Sequence, residues 1–406
     1  MSHQPHQDSL LATVDVDPYP FYDDRRAQGV VWDPEMQGWL VTSFELCKFV
    51  ESREDLFRHP YADADETLTF IKGGRRNITI LQGEEHGRMH RYLFKLFTPV
   101  AVKSYAADHV LPILDYLFDR FAERGSADLA FELADQLPPR VLVSLFGMDW
   151  RDDALVDAML RLHGVVMHWI GGTKDAASTA AAEAAASELN ELLLPVIRAR
   201  REQPGNDLIS RLWAEAPALF DDISDQDMLS ICRELFLGGS DTSVHAIANA
   251  IYLLLTEDGL KARIAGGGDK AMAAFVEEVM RLYGSVQHRF RLANQDIELG
   301  GVAIARNDRV IAINAAANRD PERFADPGAL DLDRSAVRDH LAFNAGPRAC
   351  VGSSLARSEI REAVAMVLDR LANVRLDPTK PAPRFASFYV RSFRPLHVLF
   401  DAPGAR

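Results

Sequence analysis

The sequence predicts a mainly α-helical protein with small peripheral β-sheets, folded as a single large helical domain over residues 1–406. Three observations support this fold class. Long segments repeat apolar residues at helical spacing, strand signals are few and short, and no linker, internal repeat or change in composition marks a domain boundary. Length alone would allow two or three domains, but the uniform composition favours one.

Three long segments predict helices. The segment "DAASTAAAEAAASELNELLLPVIRARR" is rich in Ala, Glu and Leu, and these residues favour a long helix. The segment from Ser224 to Gly259 begins at a good N-cap residue and is apolar on most sides, so it is expected to cross the core. The segment "VKSYAADHVLPILDYLFDRFAERG" carries an apolar stripe formed by Ala106, Val110, Ile113, Leu114, Leu117 and Phe121.

Strand signals are short and separate. An early "GWLVTS" follows a turn, "DIELGGVAIARNDRVIAI" predicts a small ribbon, and "SFYVRSFRPLHVLF" predicts another near the end of the chain. Such segments are typical of peripheral sheets beside a helical core.

Charge and hydropathy exclude several classes of function. The net charge is −14, whereas duplex binding requires a concentrated basic surface, so no nucleic-acid partner is expected. The N-terminus lacks the basic and apolar segments of a signal peptide, and the longest nearly apolar run, Ile247 to Leu255, is far short of the ~20 residues of a membrane helix. We therefore expect no membrane partner and a cytoplasmic location.

One of the three scattered cysteines stands in a distinctive stretch. Cys47, Cys232 and Cys350 form no C-x-x-C pair, which argues against a disulfide framework or a zinc knuckle. Cys350 lies in "FNAGPRACVG", between a Gly-Pro-Arg turn and a predicted helix. A lone buried cysteine is most often a small core residue. Here, however, the helix N-terminus and the basic Arg348 would favour a metal-binding thiolate.

The stretch resembles the haem-binding signature of the cytochrome P-450 monooxygenases, F-x-x-G-x-R-x-C-x-G. The residues that match are Phe343, Gly346, Arg348, Cys350 and Gly352. The resemblance covers nearly the whole chain and implies the cytochrome P-450 fold. It also implies a haem b cofactor whose iron is bound by the Cys350 thiolate, a ligand that favours O–O cleavage.

The predicted core helix contains "LGGSDTS", from Leu237 to Ser243. Two glycines, an acid and hydroxyls are poor choices for a helix interior, and a packing notch is the simplest interpretation. The resemblance implies instead that the Thr242 side chain bonds the carbonyl of Gly238, so that the helix opens locally for dioxygen and water. Asp241 and Thr242 would then deliver protons during oxygen activation.

The segment "EEVMRL" matches the structural E-x-x-R pair of the same family. The pair is formed by Glu278 and Arg281, which lie three residues apart on one predicted helix. A weak surface ion pair is the alternative interpretation. In the family the pair supports the segment that leads to the cysteine, and the third member is expected to be Arg319 or Arg323.

The segment "GEEHGRMHRYLFKLF" resembles the helix that carries H-x-x-x-R contacts to the haem propionates. His86 fits the motif, but His90 stands where arginine is usual. The helical wheel places His86 and His90 on one face, and Arg88, Arg91 and Lys95 on the opposite face. This departure makes the usual arginine contact from this helix doubtful.

Four further residues are expected near the propionates. His340, Arg348 and Arg291 match positions that contact them in the family. In an extended segment, Arg289 lies on the same side as Arg291. Arg289 would supply the charge that His90, neutral over much of the physiological range, does not supply. The alternative is that Arg289 faces the substrate and binds a carboxylate.

The resemblance implies a monooxygenase that inserts one oxygen atom from O2 into a C–H bond of a hydrophobic small molecule. Electrons would come from a separate ferredoxin and an NAD(P)H-dependent ferredoxin reductase. The docking patch would consist of Arg88, Arg91, Lys95, Arg357 and Arg361, although a merely solvated face is the alternative.

Two other functions remain open. One is a haem-thiolate enzyme that consumes peroxide, and such enzymes tend to lack the acid–alcohol pair formed here by Asp241 and Thr242. The other is a non-catalytic haem-binding sensor, which would have no use for that pair.

The resemblance also predicts the substrate pocket. The loop "HPYADADETLTFIKGGRRNITI" should cap it, and mostly apolar walls suggest a hydrophobic substrate. Glu234 either holds a polar group of the substrate or pairs with a neighbouring basic residue. The expected lining residues are Glu234, Leu237, Val286, Tyr389 and Val390.

Overall fold

A computed structural model of the chain describes residues 9–402 apart from residues 15, 173 and 219. The first eight residues, part of the N-terminus predicted to be no signal peptide, lie outside the described residues. The described part contains fourteen α-helices and twelve short β-strands. The prediction of a mainly helical fold with small sheets is therefore confirmed.

The helices carry the numbers α1 to α14 in chain order. They are α1 Tyr19–Gln28, α2 Phe44–Ser52, α3 Glu66–Ile71, α4 Gly83–Leu96, α5 Pro99–Tyr105, α6 Leu111–Asp119, α7 Leu137–Leu145, α8 Asp153–Gly171, α9 Ala176–Glu202, α10 Leu208–Glu215, α11 Asp225–Thr256, α12 Leu260–Tyr283, α13 Asn314–Ala317 and α14 Ser353–Arg370.

The two longest helices begin at residues that satisfy free backbone N–H groups. At α9, Asp175 and Ser178 bond each other's backbone N–H groups in a capping box. At α11, Ser224 and Asp227 do the same, over 2.9 and 3.2 Å. The predicted N-cap at Ser224 is confirmed. Within the described ranges, no helix is both long enough and apolar enough to cross a membrane.

The strands form four small sheets. In the largest, the order is β1-β2-β8-β5-β3, with β2 and β8 parallel and the other pairs antiparallel. In the remaining sheets, β12 lies between β4 and β9, β6 pairs with β7, and β10 pairs with β11. The strands are β1 Val31–Asp33, β2 Gly38–Val41, β3 Phe57–Arg58, β4 Ser126–Asp128, β5 Arg289–Ala293, β6 Ile297–Leu299, β7 Val302–Ile304, β8 Arg309–Ala312, β9 Ala372–Leu376, β10 Arg384–Ala386, β11 Ser392–Arg394 and β12 His397–Asp401.

Contacts divide the chain into two compact units that interleave in sequence. The first unit comprises residues 1–60, 114–135 and 242–406 and contains the four sheets. The second comprises residues 61–113 and 136–241 and consists of helices and their connections. The expectation of one domain over the whole chain stays a prediction.

Each unit has its own apolar core. In the first, side chains of α2 and of the largest sheet pack together, with Phe44, Cys47 and Val310 completely or almost completely buried. In the second, α3, α8 and α9 pack around Ile71 and Leu162. Cys47 is therefore a small core residue, as is usual for a buried cysteine.

Candidate active site

A tight loop, residues 341–352, places Cys350 directly before α14, and we call it the cysteine loop. The N–H of Cys350 donates to the carbonyl of Phe343 over 2.8 Å and closes the loop. Gly346 has a φ of 66°, and a Cβ there would lie 2.6 Å from Cα of Ser52 in α2. Glycine is required at this position because no side chain fits between the loop and the helix.

Asn344, for which the sequence predicts no role, also shapes the cysteine loop. Its φ is 66°, its side-chain oxygen accepts from the N–H of Ala345 over 2.9 Å, and its Nδ2 donates to the carbonyl of Arg348 over 2.9 Å. Asparagine adopts this left-handed conformation more readily than most residues. An asparagine inside a glycine-containing turn was the signal that could have identified it.

The Cys350 thiol differs from the other two cysteines because it is accessible to solvent, whereas Cys47 and Cys232 are buried. The surrounding protein nevertheless raises the pKa of the Cys350 thiol by desolvation, and bonds from the backbone N–H groups of Gly352 and Ser353 oppose this effect. A thiol that is both accessible and surrounded lies at the floor of a concave site. Ser353 begins α14, which confirms the predicted place at a helix N-terminus.

Arg289 holds the backbone of the cysteine loop. Its Nη1 donates to the carbonyl of Leu341 over 3.1 Å and its Nη2 to that of Ala342 over 2.7 Å, while Nη1 lies 3.4 Å from the buried carboxylate of Glu51. Burial raises the pKa of Cys350, and the charge of Arg289 is among the effects that lower it. These contacts join Arg289 to the protein itself, and its expected contact with a propionate or a substrate carboxylate stays a prediction.

Arg291 is a buried cation that has no anionic hydrogen-bond partner in the described part of the chain. It is 3% exposed, Nη1 donates to the carbonyl of Phe290, and among the described residues Nη2 has no hydrogen-bond partner. Burial lowers the pKa of Arg291 to about 10; Glu51 raises it, and the charges of Arg289 and Arg348 lower it. A buried guanidinium in such surroundings is suited to an anion. The accessible thiol and this cation together fit a haem, which carries propionates.

His340 does not fit the expectation of a propionate contact. Its Nδ1 accepts from the N–H of Ala342 over 3.2 Å, so Nε2 carries the proton and donates to Glu277 over 3.1 Å. Both ring nitrogens therefore have protein partners. Glu277 also accepts two bonds from Arg357, over 2.8 and 3.0 Å. Burial raises the pKa of Glu277, but these partners outweigh burial and lower it to about 2.

Arg348 and Arg357 each form hydrogen bonds to a glutamate of the protein. Arg348 donates from Nε and Nη2 to Glu54, over 3.1 and 2.5 Å. The expected propionate contact of Arg348 stays a prediction. Arg357 bonds Glu277 and lies over the ring of Phe343, 4.3 Å from its centre. Arg357 is therefore a poor member of a basic docking patch, since its charge is already paired.

The E-x-x-R pair is a buried structural centre. Glu278 and Arg281 are completely buried and joined by two bonds of 2.6 and 2.9 Å. The third member is Arg334, whose Nε donates to Glu278 over 3.1 Å. The expectation of Arg319 or Arg323 is wrong, because Arg319 stacks over a tyrosine ring and Arg323 pairs with an aspartate elsewhere.

One face of α11 is accessible although most of the helix is buried. Glu234, Leu237, Gly238, Asp241 and Thr242 are partly or fully accessible, at the i, i+3, i+4, i+7 and i+8 positions of one face. A Cβ at Gly238 would meet no atom within 4 Å, so open space lies beside it. The backbone stays helical here, and the predicted local opening does not interrupt the helix. We call these five positions the accessible face of α11.

Helix α4 has the two faces predicted for it. His86 is buried, and its ring centre lies 5.7 Å from that of the half-buried His90. Arg91 and Lys95 are exposed, whereas Arg88 is half-buried. The propionate contacts expected of the two histidines stay predictions.

The last predicted pocket residues lie together in the first unit. Val286 and Val390 form an antiparallel bridge, and the N–H of Gln287 donates to the carbonyl of Tyr389 over 3.1 Å. Val286 and Val390 are half-buried, and Tyr389 is exposed. Their expected role in the substrate pocket stays a prediction.

A buried acid in α14 predicts a specific pH dependence of stability. Glu359 is 1% exposed, and burial raises its pKa to about 8, although a bond from Ser243 opposes the shift. The folded state therefore keeps a proton that the unfolded state loses above its ordinary pKa. The free energy of unfolding should fall as pH rises from about 4.5 to 8, with a slope of about 1.4 kcal/mol per pH unit from this group.

Glu359→Gln should remove that decline because glutamine does not ionise. Urea unfolding at pH 5, 6, 7 and 8 should give a variant that is close to the wild type at pH 5 and increasingly more stable above it. A difference that stays constant with pH would show that Glu359 is ionised in the folded protein.

Substitution of Arg291 should affect the retention of haem, whereas substitution of Arg289 should affect both haem retention and the thiolate spectrum. Arg291→Leu should speed haem transfer to apomyoglobin by about 10- to 100-fold, since a charge-assisted hydrogen bond contributes about 1.5–3 kcal/mol. Arg289→Leu should also loosen haem, and in addition weaken the thiolate spectrum, because it frees the cysteine loop. Equal transfer rates for Arg291→Leu and wild type would rule out an anion at Arg291.

Comparison with known proteins agrees with this geometry. The family model described as Cytochrome P450 matches residues 270–392, which include Arg291, Arg281 and Cys350. The chain is 32% identical to mycinamicin IV hydroxylase/epoxidase of Micromonospora griseorubida, over 84% of this chain and 83% of that protein. It is 31% identical to nocardicin C N-oxygenase of Nocardia uniformis subsp. tsuyamanensis, over 83% of each chain.

Solved structures show the same fold. The crystal structure of CalO2 superposes with a TM-score of 0.85 at 27% identity and covers 96% of this chain and 97% of that chain. The structure of P450BioI with a ligated acyl carrier protein gives a TM-score of 0.84 at 24% identity, over 95% of this chain and 98% of that one. The similarity thus extends over nearly the full length of both chains.

Proposed function

The chain belongs to the cytochrome P450 family, and on that premise we propose that it inserts one oxygen atom of O2 into a C–H bond of a hydrophobic small molecule. It is a monooxygenase whose cofactor is haem b bound through a cysteine thiolate. The proposal further assigns the electrons to a separate ferredoxin and an NAD(P)H-dependent reductase, and the enzyme to the cytoplasm. Unpaired cysteines suit that reducing compartment.

The single observation that carries the proposal is the setting of Cys350. It is accessible, precedes α14 and receives bonds from two backbone N–H groups. In the proposal its thiolate binds the iron, because a metal-bound thiol is deprotonated even where burial raises its free pKa. Arg291 binds a propionate. When bound, haem supplies the activation of O2 that protein side chains alone cannot perform.

The proposed proton donors lie on the accessible face of α11. The overall reaction takes O2, two electrons, two protons and a C–H compound to an alcohol and water, so protons must enter a largely apolar interior. Asp241 and Thr242 are partly accessible there, with open space beside Gly238. In the proposal the carboxyl group of Asp241 acts as the proton source and the Thr242 hydroxyl orients the transfer.

The pairing of Asp241 and Thr242 favours dioxygen over the two alternatives. A peroxide-using enzyme receives its oxygen already reduced and needs no proton-coupled reduction of O2. A haem-binding sensor performs no chemistry. Neither requires an acid and a hydroxyl on an accessible face of an otherwise buried helix.

Three measurements on the purified haem protein test the proposal. The reduced protein with carbon monoxide should show the red-shifted Soret band of a thiolate ligand. With a ferredoxin and its reductase, NADH should be consumed, and mass spectrometry should find one atom of labelled O2 in an alcohol product. Product formation from peroxide alone, at a rate that ferredoxin does not exceed, would favour the peroxide-using alternative.

A further inference from the structure

A buried polar cluster surrounds Glu234, one turn before Gly238. Lys72 Nζ and Asn77 Nδ2 both donate to Oε2 of Glu234, over 2.6 and 2.8 Å. The two donors are buried, and Asn77 Nδ2 also lies 3.0 Å from the carbonyl of Lys72. The expectation that Glu234 pairs with a neighbouring basic residue is confirmed. We call Lys72, Asn77, Arg233 and Glu234 the Glu234 cluster.

The position of Lys72 is held by a loop that lies along α11. Gln226, Ser230 and Arg233 donate to carbonyl oxygens of residues 71–74, over 2.5 to 3.2 Å. These donors recur at helical spacing on α11, so the loop is attached over two turns. A Cβ on Gly73 would lie 3.1 Å from the Arg233 side chain. Lys72 is therefore presented to Glu234 by a closely packed segment.

The charges of the Glu234 cluster add up to one positive charge. Lys72 and Arg233 are cations. The carboxylate of Glu234 forms an ion pair with Lys72 and also attracts the charge of Arg233. Burial lowers the pKa of Arg233 to about 10, and the charge of Glu234 opposes it. Burial is the main cause that lowers the pKa of the nearby His163 to about 3, and the charges of Lys72 and Arg233 lower it further. The imidazole of His163 is therefore neutral.

One oxygen of the cluster remains available to a ligand. Both hydrogen bonds to Glu234 go to Oε2, and among the described residues Oε1 receives none. The Glu234 side chain is 14% exposed, whereas that of Lys72 is 3% exposed and Arg233 is 6% exposed. A ligand beside the accessible face of α11 therefore meets the carboxylate oxygen and not the cations.

We propose that the substrate carries a neutral hydroxyl group that donates a hydrogen bond to Oε1 of Glu234. This inference rests on the proposed function, since it takes the accessible face of α11 as a wall of the substrate pocket. A cationic amine would add a second uncompensated positive charge to the buried cluster, which is costly. A carboxylate would be repelled by the oxygen that it meets first. A hydroxyl donates without adding charge.

The spacing of residues on α11 separates Glu234, which would bind the substrate hydroxyl, from the place of oxidation. Glu234 and Gly238 are four residues apart, which is ~6 Å along a helix axis. The proposed proton donors Asp241 and Thr242 lie a further turn along α11, so a carbon oxidised near them differs from the carbon that carries the anchored hydroxyl. The substrate class is a hydrophobic alcohol that receives its new oxygen at a remote position.

Binding to the haem-loaded protein tests the proposal with four probes that share one hydrocarbon cage and differ in their polar group. They are adamantan-2-ol, adamantan-2-one, adamantane-1-carboxylate and trimethyl(1-adamantyl)ammonium, titrated by the Soret shift and by calorimetry. The wild type should bind the alcohol at least ~10-fold more tightly than each of the other three, because a hydrogen bond to a charged acceptor contributes about 1.5–3 kcal/mol. Absence of a preference for the alcohol overturns the proposal.

Two variants locate the preference at Glu234. The double variant Lys72→Met/Glu234→Leu removes one positive and one negative charge, so the cluster keeps its net charge of +1, and Arg233 keeps its bonds to Asn190 and to the carbonyl of Ile71. The preference for the alcohol over the ketone should then fall to less than ~2-fold. Lys72→Met leaves the carboxylate without its closest cation and should shift the ratio of ammonium to alcohol affinity by ~10-fold toward the ammonium. Retention of the wild-type preference in the double variant overturns the proposal.

One control variant and one spectrum distinguish a failure of the Glu234 proposal from a failure of the proposed function. Glu188→Leu removes an exposed glutamate of the same unit and should leave all four affinities unchanged. The carbon monoxide spectrum is recorded for every variant. A wild type without the thiolate band refutes the proposed function itself, whereas a normal band without the alcohol preference refutes only the role of Glu234.

Discussion

Replacement of Cys350 by serine is expected to abolish both the red-shifted carbon monoxide band and all monooxygenation. A serine hydroxyl does not ionise at neutral pH, so no alkoxide replaces the thiolate as iron ligand. The loop itself should survive, because the bond between the N–H of residue 350 and Phe343 involves only backbone atoms. Visible spectra of the reduced protein and product analysis with a ferredoxin system measure the two losses.

Cys47→Ser and Cys232→Ser are the matched controls. Both cysteines are completely buried, whereas Cys350 is accessible to a cofactor. Neither is therefore placed to bind a metal as a thiolate, and both variants should keep the band and the activity of the folded protein. A normal thiolate band in Cys350→Ser would transfer the ligand role to another cysteine.

Asp241→Asn is expected to slow turnover by about 10²–10⁴-fold, the range typical of losing a general acid. Asparagine keeps the size and polarity of the side chain but carries no exchangeable carboxyl proton. Haem content and the carbon monoxide spectrum should stay normal, so the loss should lie in the turnover rate. Turnover within ~3-fold of the wild type would exclude Asp241 as the proton source.

Thr242→Ala should show a different defect on the same helix. NADH consumption should continue, but peroxide should replace much of the product because protonation is no longer correctly timed. Ser240→Ala is a suitable control, since Ser240 is buried and bonds the carbonyl of Phe236 over 2.6 Å within the helix. Full coupling of NADH to product in Thr242→Ala would contradict the proposed role.

Local patterns predicted those parts of the site that depend on neighbouring residues. The place of Cys350 before a helix follows from the glycine-containing turn and the apolar segment behind it. The pairing of Glu278 with Arg281 follows from their spacing on α12. Gly238, Asp241 and Thr242 stood out because glycine, an acid and a hydroxyl are poor choices for a helix interior. Each involves a few residues whose relative positions are set by one turn or one helix.

Partners distant in sequence were not predictable in the same way. Arg334 completes the Glu278 centre from 56 positions away, and Glu54 reaches Arg348 from 294 positions away. His340 was expected at a propionate, yet its ring N–H donates a hydrogen bond to Glu277. Arginines are numerous in this chain, and no pattern along the sequence distinguishes the one that packing brings to a given carboxylate.

The sequence by itself determined the helical class, the cysteine loop and the acid–alcohol pair, because periodicity, turn chemistry and helix ends act over a few residues. Only the tertiary structure decided which charges meet: Lys72 with Glu234, Arg289 with the cysteine loop, and Arg291 with no anion among the described residues. The physical reason is that a buried charge takes the nearest available partner in space. Packing decides which partner that is.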